Sequence, residues 1–381
     1  MKVSSVSSIT FLLPGVFSFS TSSDSATRTC QDYMIQVNAT SQVLVPSYPR
    51  FENDFDVVDF VNNLLSRDSR SSFIPFSGAK NVTGSYEIAA TICSPCKSTQ
   101  KEKTLLLASH GLGYDRRYWD SGLESANYSF VDFAVAQGYS VFFYDRLGTG
   151  KSSKVSGYDV PQSTAQLAIL QQLSSLVRAG NYTGSFGAPS KLVHVGHSYG
   201  SLISNGLIAT TPGLSDGAIL TGIAYTPNSA TFLKAWGFRI AALQAPGKWP
   251  GRDNNYITGV DAAGNAAAFF HGNSFSKEMA WYAESIKQPV ASAEILTFTL
   301  LQQRAPKFTK PLMLLAGEFD SAFCDGNCTG VLAPPVLSEY FPNVTDFQAV
   351  VHPAVGHGIN LSYNATGAYA VMLDYLKKHG L

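Results

Sequence analysis

Charged residues are scarce in this sequence. Of its 381 residues, 27 are Lys or Arg and 27 are Asp or Glu, so 14% are charged, against roughly 25% in an average soluble domain. The formal net charge is zero and no basic stripe of the kind that binds nucleic acid is present, which excludes a nucleic-acid partner. No apolar run of 18 residues follows the amino terminus, so we expect no membrane span.

The patterns of metal sites and of repeat proteins are also missing. No histidine pair lies at ligand spacing near a cysteine, and no internal repeat or low-complexity tract is found. Hydrophobic residues, in contrast, make up 45% of the chain. The length predicts one large domain with a smaller one inserted or appended, and the sequence gives no indication of an oligomeric state.

The amino terminus has the pattern of a secretory signal peptide. Met1 and Lys2 precede an apolar stretch over 3–17, and small and polar residues follow over 18–25. We predict a signal peptide over 1–20, cleaved near Ser20, and hence a secreted, extracellular protein. The alternative interpretation is a disordered tail, because Pro14 and Gly15 interrupt the apolar stretch.

Sequons for N-glycosylation support export. They lie at Asn38, Asn81, Asn127, Asn181, Asn327, Asn343, Asn360 and Asn364. We expect a glycoprotein whose sugars supply the solubility that charge does not. The sequon at Asn360 is the exception: it lies close to a predicted catalytic histidine, and we expect it to be empty.

The five cysteines predict disulfides. Cys324 and Cys328 can close a small loop, and Cys30 can join either Cys93 or Cys96, which leaves one thiol. The rival interpretation of Cys93 and Cys96 as a redox dithiol lacks a thioredoxin-like pattern around it.

Strands and helices alternate along most of the chain, which predicts a parallel sheet covered on both faces. Strand signals begin at Ser85, so 21–80 is interpreted as an N-terminal extension that contains one amphipathic helix over 54–66. Predicted strands are 86–93, 104–109, 140–144, 191–195, 218–225, 311–316 and 347–351, and predicted helices are 129–137, 164–179 and 365–379.

Residues 227–305 differ from the rest of the chain. Strand signals fade there and aromatic residues are frequent, among them Phe232, Trp236, Phe269 and Phe298. We predict a helical lid over 227–305, inserted in a core formed by 81–226 and 306–381. Most of these aromatic residues are expected to form the lid's own core, and a few to face the site that the lid covers.

The segment Gly196-His197-Ser198-Tyr199-Gly200 is the most informative motif of the chain. It follows an apolar strand and precedes a helix, which is the context of a nucleophile elbow, Gly-x-Ser-x-Gly. The two glycines allow a tight turn that raises the Ser198 hydroxyl at the start of a helix. Ser198 is therefore the candidate nucleophile.

A serine nucleophile needs a base, and the base needs an orienting acid. Among the seven histidines, His357 lies in a loop beyond the last predicted strand and is flanked by glycines, so we predict that it is the base. Asp320 and Glu318 both follow the strand over 311–316. We predict Asp320 as the acid, because it lies deeper in the loop, and Glu318 as a turn residue.

Two further turns bear on the site. In Ser109-His110-Gly111-Leu112-Gly113, the glycines allow the Leu112 N–H to point into the site and form an oxyanion hole with the Tyr199 N–H. The turn Asp145-Arg146-Leu147-Gly148-Thr149-Gly150-Lys151-Ser152 ends like a phosphate-binding loop. However, that motif requires glycine where Asp145 stands, so we interpret Asp145 and Arg146 as braces of the turn.

The motifs at 110, 145, 198, 317 and 356 stand in the order found in the α/β-hydrolase superfamily, which the chain resembles over about 81–225 and 306–381. In its signal-like start and sequons it resembles secreted serine hydrolases of filamentous fungi. The resemblance implies an eight-stranded, mostly parallel sheet, no metal, no organic cofactor and hydrolysis through an acyl-enzyme. Family members that cleave epoxides or haloalkanes carry aspartate where this chain has Ser198.

The predicted function is hydrolysis of a small hydrophobic ester, lactone or thioester by Ser198, His357 and Asp320. Three alternatives stay open. These are a peptidase, a non-hydrolytic enzyme of natural-product metabolism that performs acyl transfer, cyclisation or a lyase step, and a catalytically inactive binding protein.

Overall fold

The computed structural model describes residues 28–381 apart from 98, 100, 226–229 and 334. The predicted signal peptide lies outside these described residues. The strands are β1 (Arg28–Pro46), β2 (Phe76–Pro95), β3 (Thr104–Ser109), β4 (Ser140–Tyr144), β5 (Lys191–His197), β6 (Gly217–Thr221), β7 (Arg239–Ile240), β8 (Tyr256–Thr258), β9 (Val290–Ala291), β10 (Leu312–Gly317) and β11 (Phe347–His352).

Eight of these strands form one sheet in the order β1-β2-β4-β3-β5-β6-β10-β11. The pairs β1–β2 and β2–β4 are antiparallel, and the other five pairs are parallel. The prediction of an α/β fold with a mostly parallel, eight-stranded sheet is confirmed. Because six neighbouring strands run in the same direction, the turns after β3, β5, β10 and β11 meet at one edge.

The described helices are α1 (Asp54–Leu65), α2 (Ser69–Ser72), α3 (Ser125–Tyr128), α4 (Phe130–Ala136), α5 (Ser163–Arg178), α6 (Tyr199–Thr210), α7 (Ala230–Trp236), α8 (Ala241–Gln244), α9 (Ala262–Phe269), α10 (Lys277–Ile286), α11 (Ser292–Leu296), α12 (Ser321–Cys324), α13 (Pro335–Tyr340) and α14 (Ala365–Lys378). Helices α4, α5 and α6 pack against this sheet, α4 contacts α14 and α5 contacts α6, whereas α9 packs against α7 and α10. Short 3₁₀ helices lie at Arg116–Tyr118, Gly184–Phe186, Pro212–Leu214, Phe298–Leu300 and Ile359–Leu361. No helix in this part of the chain is long and apolar enough to cross a membrane.

The central strands are the continuous apolar runs that the sequence suggested. In β3 every residue is buried, as expected of a parallel strand with both faces covered. Helix α1 is also confirmed and begins at a capping box, in which the side chains of Asn53 and Asp56 each accept a backbone N–H.

The prediction that strands begin at Ser85 was wrong. Strand β1 pairs with β2 over almost its whole length, from Arg28 opposite Pro95 to Pro46 opposite Phe76. In β1 the buried residues Ile35, Val37 and Ala39 alternate with exposed polar ones, which is the pattern of an edge strand with one solvated face. Because polar residues separate the apolar ones, β1 contains no continuous apolar run, and the strand was not predicted from the sequence.

Segment 230–305 contains helices, as predicted, and also a small sheet that was not predicted. Strands β7, β8 and β9 form an antiparallel sheet in that order. Each has two or three residues, which is too short for a period of two to be recognised in the sequence.

Two disulfides are present. Cys30 pairs with Cys93 across β1 and β2, and Cys324 pairs with Cys328. Cys96 is a free, exposed thiol. The choice that the sequence left open is decided by strand register, because Cys30 lies directly opposite Cys93.

Candidate active site

Ser198 lies at the sharp bend between β5 and α6. Its backbone has φ 54° and ψ −121°, a conformation that is uncommon for a residue with a side chain and that marks local strain. A Cβ atom on Gly200 would lie 2.0 Å from the carbonyl oxygen of Ser109, and one on Gly196 would lie 2.5 Å from the Cα of Ser201. Only glycine fits at either position, so the motif determines the local shape.

The structure brings Ser198, His357 and Asp320 together. Nε2 of His357 is 2.8 Å from Oγ of Ser198, and Nδ1 is 2.7 Å from Oδ2 of Asp320. Ser198 is 9% exposed, His357 1% and Asp320 0%. Because a carboxylate only accepts hydrogen bonds, Nδ1 carries the proton, and Nε2 is left to accept the hydrogen of the hydroxyl.

Asp320 is held by the start of α12. Its Oδ1 accepts the backbone N–H groups of Ala322 and Phe323 at 2.8 and 3.0 Å, which leaves Oδ2 to face His357. Glu318 points elsewhere, since its Oε2 accepts the N–H of Ala354 at 2.9 Å. Of the two carboxylates that follow β10, only Asp320 contacts the imidazole.

The loop that carries His357 passes very close to two backbone segments. A Cβ on Gly317 would lie 2.2 Å from the carbonyl oxygen of Gly356, and one on Gly356 would lie 2.8 Å from the carbonyl carbon of Phe270. The glycines beside His357 therefore allow the loop to reach over the end of β10. The side chains of Phe232 and Phe269 lie against the imidazole, with ring centroids 5.3 and 5.7 Å away.

A second imidazole lies beside the first. The ring of His197 is 5.0 Å from that of His357 and is stacked on Tyr118 at 4.4 Å. Burial lowers the pKa of His197 well below its usual value, and the neighbouring imidazoles of His357 and His110 act in the same direction. His197 is thus a neutral neighbour whose Nδ1 lies 3.1 Å from the hydroxyl of Thr221.

Leu112 and Tyr199 lie beside Ser198 and line the same cavity. No described residue accepts a hydrogen bond from the backbone N–H of either residue. A Cβ on Gly111 would lie 2.9 Å from the Cβ of Ser198, so the turn at 110–113 approaches the serine closely. The two N–H groups are available to an oxygen atom bound next to Ser198.

The turn at 145–152 contains a carboxylate where a phosphate-binding loop would hold its anion. Oδ2 of Asp145 accepts the N–H of Lys151 at 2.7 Å and bonds Arg116 at 2.8 Å. Burial, with the nearby charge of Asp115, raises the pKa of Asp145 to about 6. A Cβ on Gly150 would lie 2.2 Å from Oδ2, so the glycine makes room for Asp145.

A cavity of about 710 Å³ opens at Ser198. Its walls are mainly apolar and include Leu202, Ala224, Phe232, Leu233, Phe298 and Phe323. Thr299 and residues 301–304, which follow Phe298, also line the cavity. Phe298 is one of the aromatic residues that the sequence placed in the lid, whereas residue 299 and residues 301–304 were missed, because they carry no motif and reach the cavity only through the tertiary fold.

Among the residues described, no three His, Cys, Asp or Glu side chains are grouped so that they could hold a metal ion. Ser198, His357 and Asp320 instead place one hydroxyl, one imidazole and one carboxylate in series, next to two free N–H groups. This arrangement can activate a hydroxyl and stabilise a developing oxyanion.

The sequence model of the Alpha/beta hydrolase family matches residues 105–368. A comparison with curated protein sequences finds no match. A thermophilic esterase from Thermogutta terrifontis is 18% identical, with a TM-score of 0.53, over 78% of this chain and 95% of its own.

Two further solved structures have a TM-score of 0.50. An epoxide hydrolase from Vigna radiata is 14% identical over 77% of this chain and 95% of its own. A hydrolase from Pseudomonas aeruginosa is 16% identical over 76% of this chain and 94% of its own. At these identities the likeness shows the fold alone.

Proposed function

This chain belongs to the alpha/beta hydrolase family, and on that premise we propose that it is a serine hydrolase acting on hydrophobic carboxylic esters, lactones or thioesters. The observation that carries the proposal is the unbroken series of contacts from Ser198 through His357 to Asp320, with distances of 2.8 and 2.7 Å. A buried hydroxyl, imidazole and carboxylate in this order form the arrangement that activates a serine for acyl transfer.

In the first half-reaction, Nε2 of His357 accepts the hydroxyl proton as Oγ of Ser198 attacks the substrate carbonyl carbon. Asp320 stabilises the imidazolium that forms and holds the ring in position. The imidazolium then donates its proton to the leaving oxygen or sulfur as the bond to the carbonyl carbon breaks. An acyl group remains on Oγ.

In the second half-reaction, water attacks the acyl group and His357 accepts its proton. The imidazolium then returns a proton to Oγ as the carboxylic acid leaves. In both half-reactions the carbonyl oxygen becomes negatively charged next to the N–H groups of Leu112 and Tyr199. Each such donor contributes about 3 kcal/mol to transition-state stabilisation.

The cavity supports a substrate with a large apolar part. Leucine, alanine and phenylalanine side chains form most of its wall around Ser198, and apolar walls with few polar groups favour apolar ligands. We propose that an acyl chain or an apolar alcohol occupies this space, while the reacting carbonyl lies between Ser198 and Leu112.

We further propose that 227–305 acts as a lid over this cavity. In support, Phe232, Leu233 and Phe298 of this segment line the cavity, and Phe232 and Phe269 lie against His357. A lid that excludes water strengthens the electrostatic interactions at the reacting atoms.

Labelling with a fluorophosphonate tests the nucleophile. We expect one label per chain on Ser198, and no label on Ser198→Ala. Ser201→Ala is a matched control, because Ser201 lies one helical turn further along and its hydroxyl bonds the carbonyl oxygen of Thr221. An unlabelled wild-type protein would contradict the proposal.

Turnover of p-nitrophenyl esters, lactones and thioesters in water enriched in ¹⁸O tests hydrolysis. We expect one ¹⁸O atom in the carboxylic acid product. Product formation without ¹⁸O, or only with an added alcohol or amine, would identify an acyl transferase instead.

We also propose that the protein is secreted and N-glycosylated. The sequons at Asn38, Asn81, Asn127, Asn181, Asn327 and Asn343 are exposed, which supports the proposal, and Asn364 is half-buried. Asn360 is 2% exposed and its side chain donates to the carbonyl oxygen of Tyr118. Peptide mapping of protein from a eukaryotic secretory host is expected to find glycans at exposed sequons and none at Asn360.

A further inference from the structure

The guanidinium of Arg146, in the turn after β4, lies directly behind the turn that carries Leu112. Arg146 is 0% exposed. Its Nε donates to the carbonyl oxygen of His110 and its Nη2 to that of Gly111, both at 3.1 Å. Sequence reasoning treated Arg146 only as a brace of its own turn, but these bonds reach a different turn.

The carbonyl of Gly111 and the N–H of Leu112 belong to one trans peptide unit. In a trans peptide these two groups point in opposite directions. A donor that fixes the carbonyl oxygen of Gly111 therefore fixes the direction of the Leu112 N–H as well. The bond from Nη2 of Arg146 holds this carbonyl on the side away from the proposed oxyanion.

His110 supplies a second donor to the same oxygen. The backbone N–H of Arg146 donates to Nε2 of His110 at 3.1 Å, so Nδ1 carries the proton and donates to the carbonyl oxygen of Gly111 at 2.8 Å. Burial and the charge of Arg146 lower the pKa of His110 well below its usual value, which keeps the ring neutral. Rotation of the Gly111–Leu112 peptide would break both bonds.

The guanidinium also contacts the residue that holds the second N–H. It lies over the ring of Tyr199, 4.6 Å from the ring centroid. The Tyr199 hydroxyl lies 2.9 Å from that of Ser163, which fixes the other end of the ring. One buried cation thus bonds the carbonyl of the peptide that carries the Leu112 N–H and lies against the side chain of Tyr199.

Glu294, in α11, holds the guanidinium in place. It forms a buried ion pair with Nη1 of Arg146, and its carboxylate also accepts from Gln166 at 3.0 Å and from the N–H of Ala291 at 3.3 Å. A buried charge requires such a partner. Gln166 and the N–H of Ala291 thus hold the carboxylate that in turn holds the guanidinium of Arg146.

We propose that Arg146, held by Glu294, is a positioning residue that orients the Leu112 N–H of the oxyanion hole through the carbonyl of Gly111 and packs on the side chain of Tyr199. The inference rests on the proposed function, because it concerns the oxygen that becomes negative during acyl transfer. The positive charge at the carbonyl of Gly111 also polarises that peptide, which strengthens the Leu112 N–H as a donor.

The double variant Arg146→Met, Glu294→Met tests the proposal. Replacing both partners of a buried ion pair by apolar residues often preserves stability, so a loss of activity then reports positioning. We expect kcat to fall by about 10- to 100-fold with KM little changed. This loss is smaller than the loss of about 100- to 1000-fold that follows removal of an oxyanion donor itself. The inhibition constant of a trifluoromethyl ketone, whose adduct on Ser198 carries an oxyanion, is expected to rise by the same factor.

Arg178→Met is the matched control, because Arg178 also bonds one carboxylate and one carbonyl, those of Asp216 and Leu214, but remote from the cavity. It is expected to leave kcat and the inhibition constant unchanged. If the double variant does not fold, Arg146→Lys tests the proposal instead. Lysine keeps the charge but lacks the planar guanidinium with its several donors. In Arg146→Lys we therefore also expect kcat to fall and the inhibition constant of the ketone to rise by the same factor.

A folded double variant, or a folded Arg146→Lys, with wild-type kcat and wild-type affinity for the ketone would overturn this inference and leave the proposed function intact. A wild-type protein that neither reacts with fluorophosphonate nor hydrolyses esters would overturn both.

Discussion

Nε2 of His357 lies 2.8 Å from Oγ of Ser198 although the two residues are 159 positions apart in the chain. The contact arises because β5 and β11 belong to one run of parallel strands, so the turns after them meet at the same edge of the sheet. Asp320 reaches the other side of the imidazole from the turn after β10, the strand next to β11.

Asp320→Asn is expected to lower kcat by about 10⁴-fold, because an amide that donates to Nδ1 leaves the proton of His357 on Nε2, the wrong nitrogen. Glu318→Gln is the matched control, since Glu318 only accepts the N–H of Ala354 and a Gln side chain can still accept it. Ester hydrolysis by the two variants measures the difference. Equal losses in both variants would contradict the role given to Asp320.

Gly200→Ala is expected to destabilise the protein by more than about 2 kcal/mol or to prevent folding, because its Cβ would lie 2.0 Å from the carbonyl oxygen of Ser109. In contrast, a Cβ on Gly213 has no neighbour within 4 Å, so Gly213→Ala is expected to unfold at the wild-type temperature. Thermal unfolding measures both. A Gly200→Ala protein as stable as wild type would show that the bend relaxes more freely than its contacts imply.

Ala224→Phe is expected to change the chain-length preference. Ala224 is 4% exposed and lines the cavity, so the larger ring takes space from the substrate. We expect kcat/KM for p-nitrophenyl decanoate to fall by about 10-fold or more while that for the acetate is retained, since each methylene excluded from an apolar pocket costs about 1 kcal/mol or more. Equal effects on both esters would indicate that acyl chains bind elsewhere.

Stability is expected to decrease in acid because buried histidines stay neutral in the folded protein. Burial lowers the pKa of His194 to about 3 from its usual value of 6.5. Between these values the unfolded chain binds a proton that the folded chain does not. The free energy of unfolding therefore falls as the pH falls, by up to about 1.4 kcal/mol per pH unit for this histidine.

His194→Gln is expected to reduce this slope, because glutamine does not titrate. Urea unfolding of wild type and variant at several pH values between about 6 and about 4 measures how the free energy of unfolding changes with pH. The slopes are compared rather than the absolute stabilities, because the substitution also removes the bonds of His194 to Ser174 and Ser215. An unchanged slope would mean that other groups dominate the acid response. His110 and His197 have pKa values lowered in the same direction and remain in both proteins.

The sequence predicted the central strands and the long helices well, because their patterns are local. Continuous apolar runs became β3, β4, β5 and β10, and the periodic segment near 54–66 became α1. Strand β1 was missed because it is an edge strand whose polar residues alternate with apolar ones. The short strands β7, β8 and β9 were missed because two or three residues carry no period.

The sequence alone predicted the bend at Ser198, because the motif at 196–200 stands between an apolar strand and a helix. The structure adds the reason for the glycine at 200, whose Cβ would meet the carbonyl oxygen of Ser109. The sequence also singled out Asp320 and His357 as candidates, by their places after predicted strands. Their catalytic roles stay predictions until the variants are measured.

Only the tertiary structure decided which groups meet. Strand register paired Cys30 with Cys93 rather than with Cys96, and the fold brought Glu294 to Arg146 across 148 positions of the chain. Thr299 and residues 301–304 likewise reached the cavity at Ser198. Local patterns depend on neighbours a few residues apart, whereas contacts of this kind depend on how strands are ordered in the sheet and on how segment 230–305 packs against them.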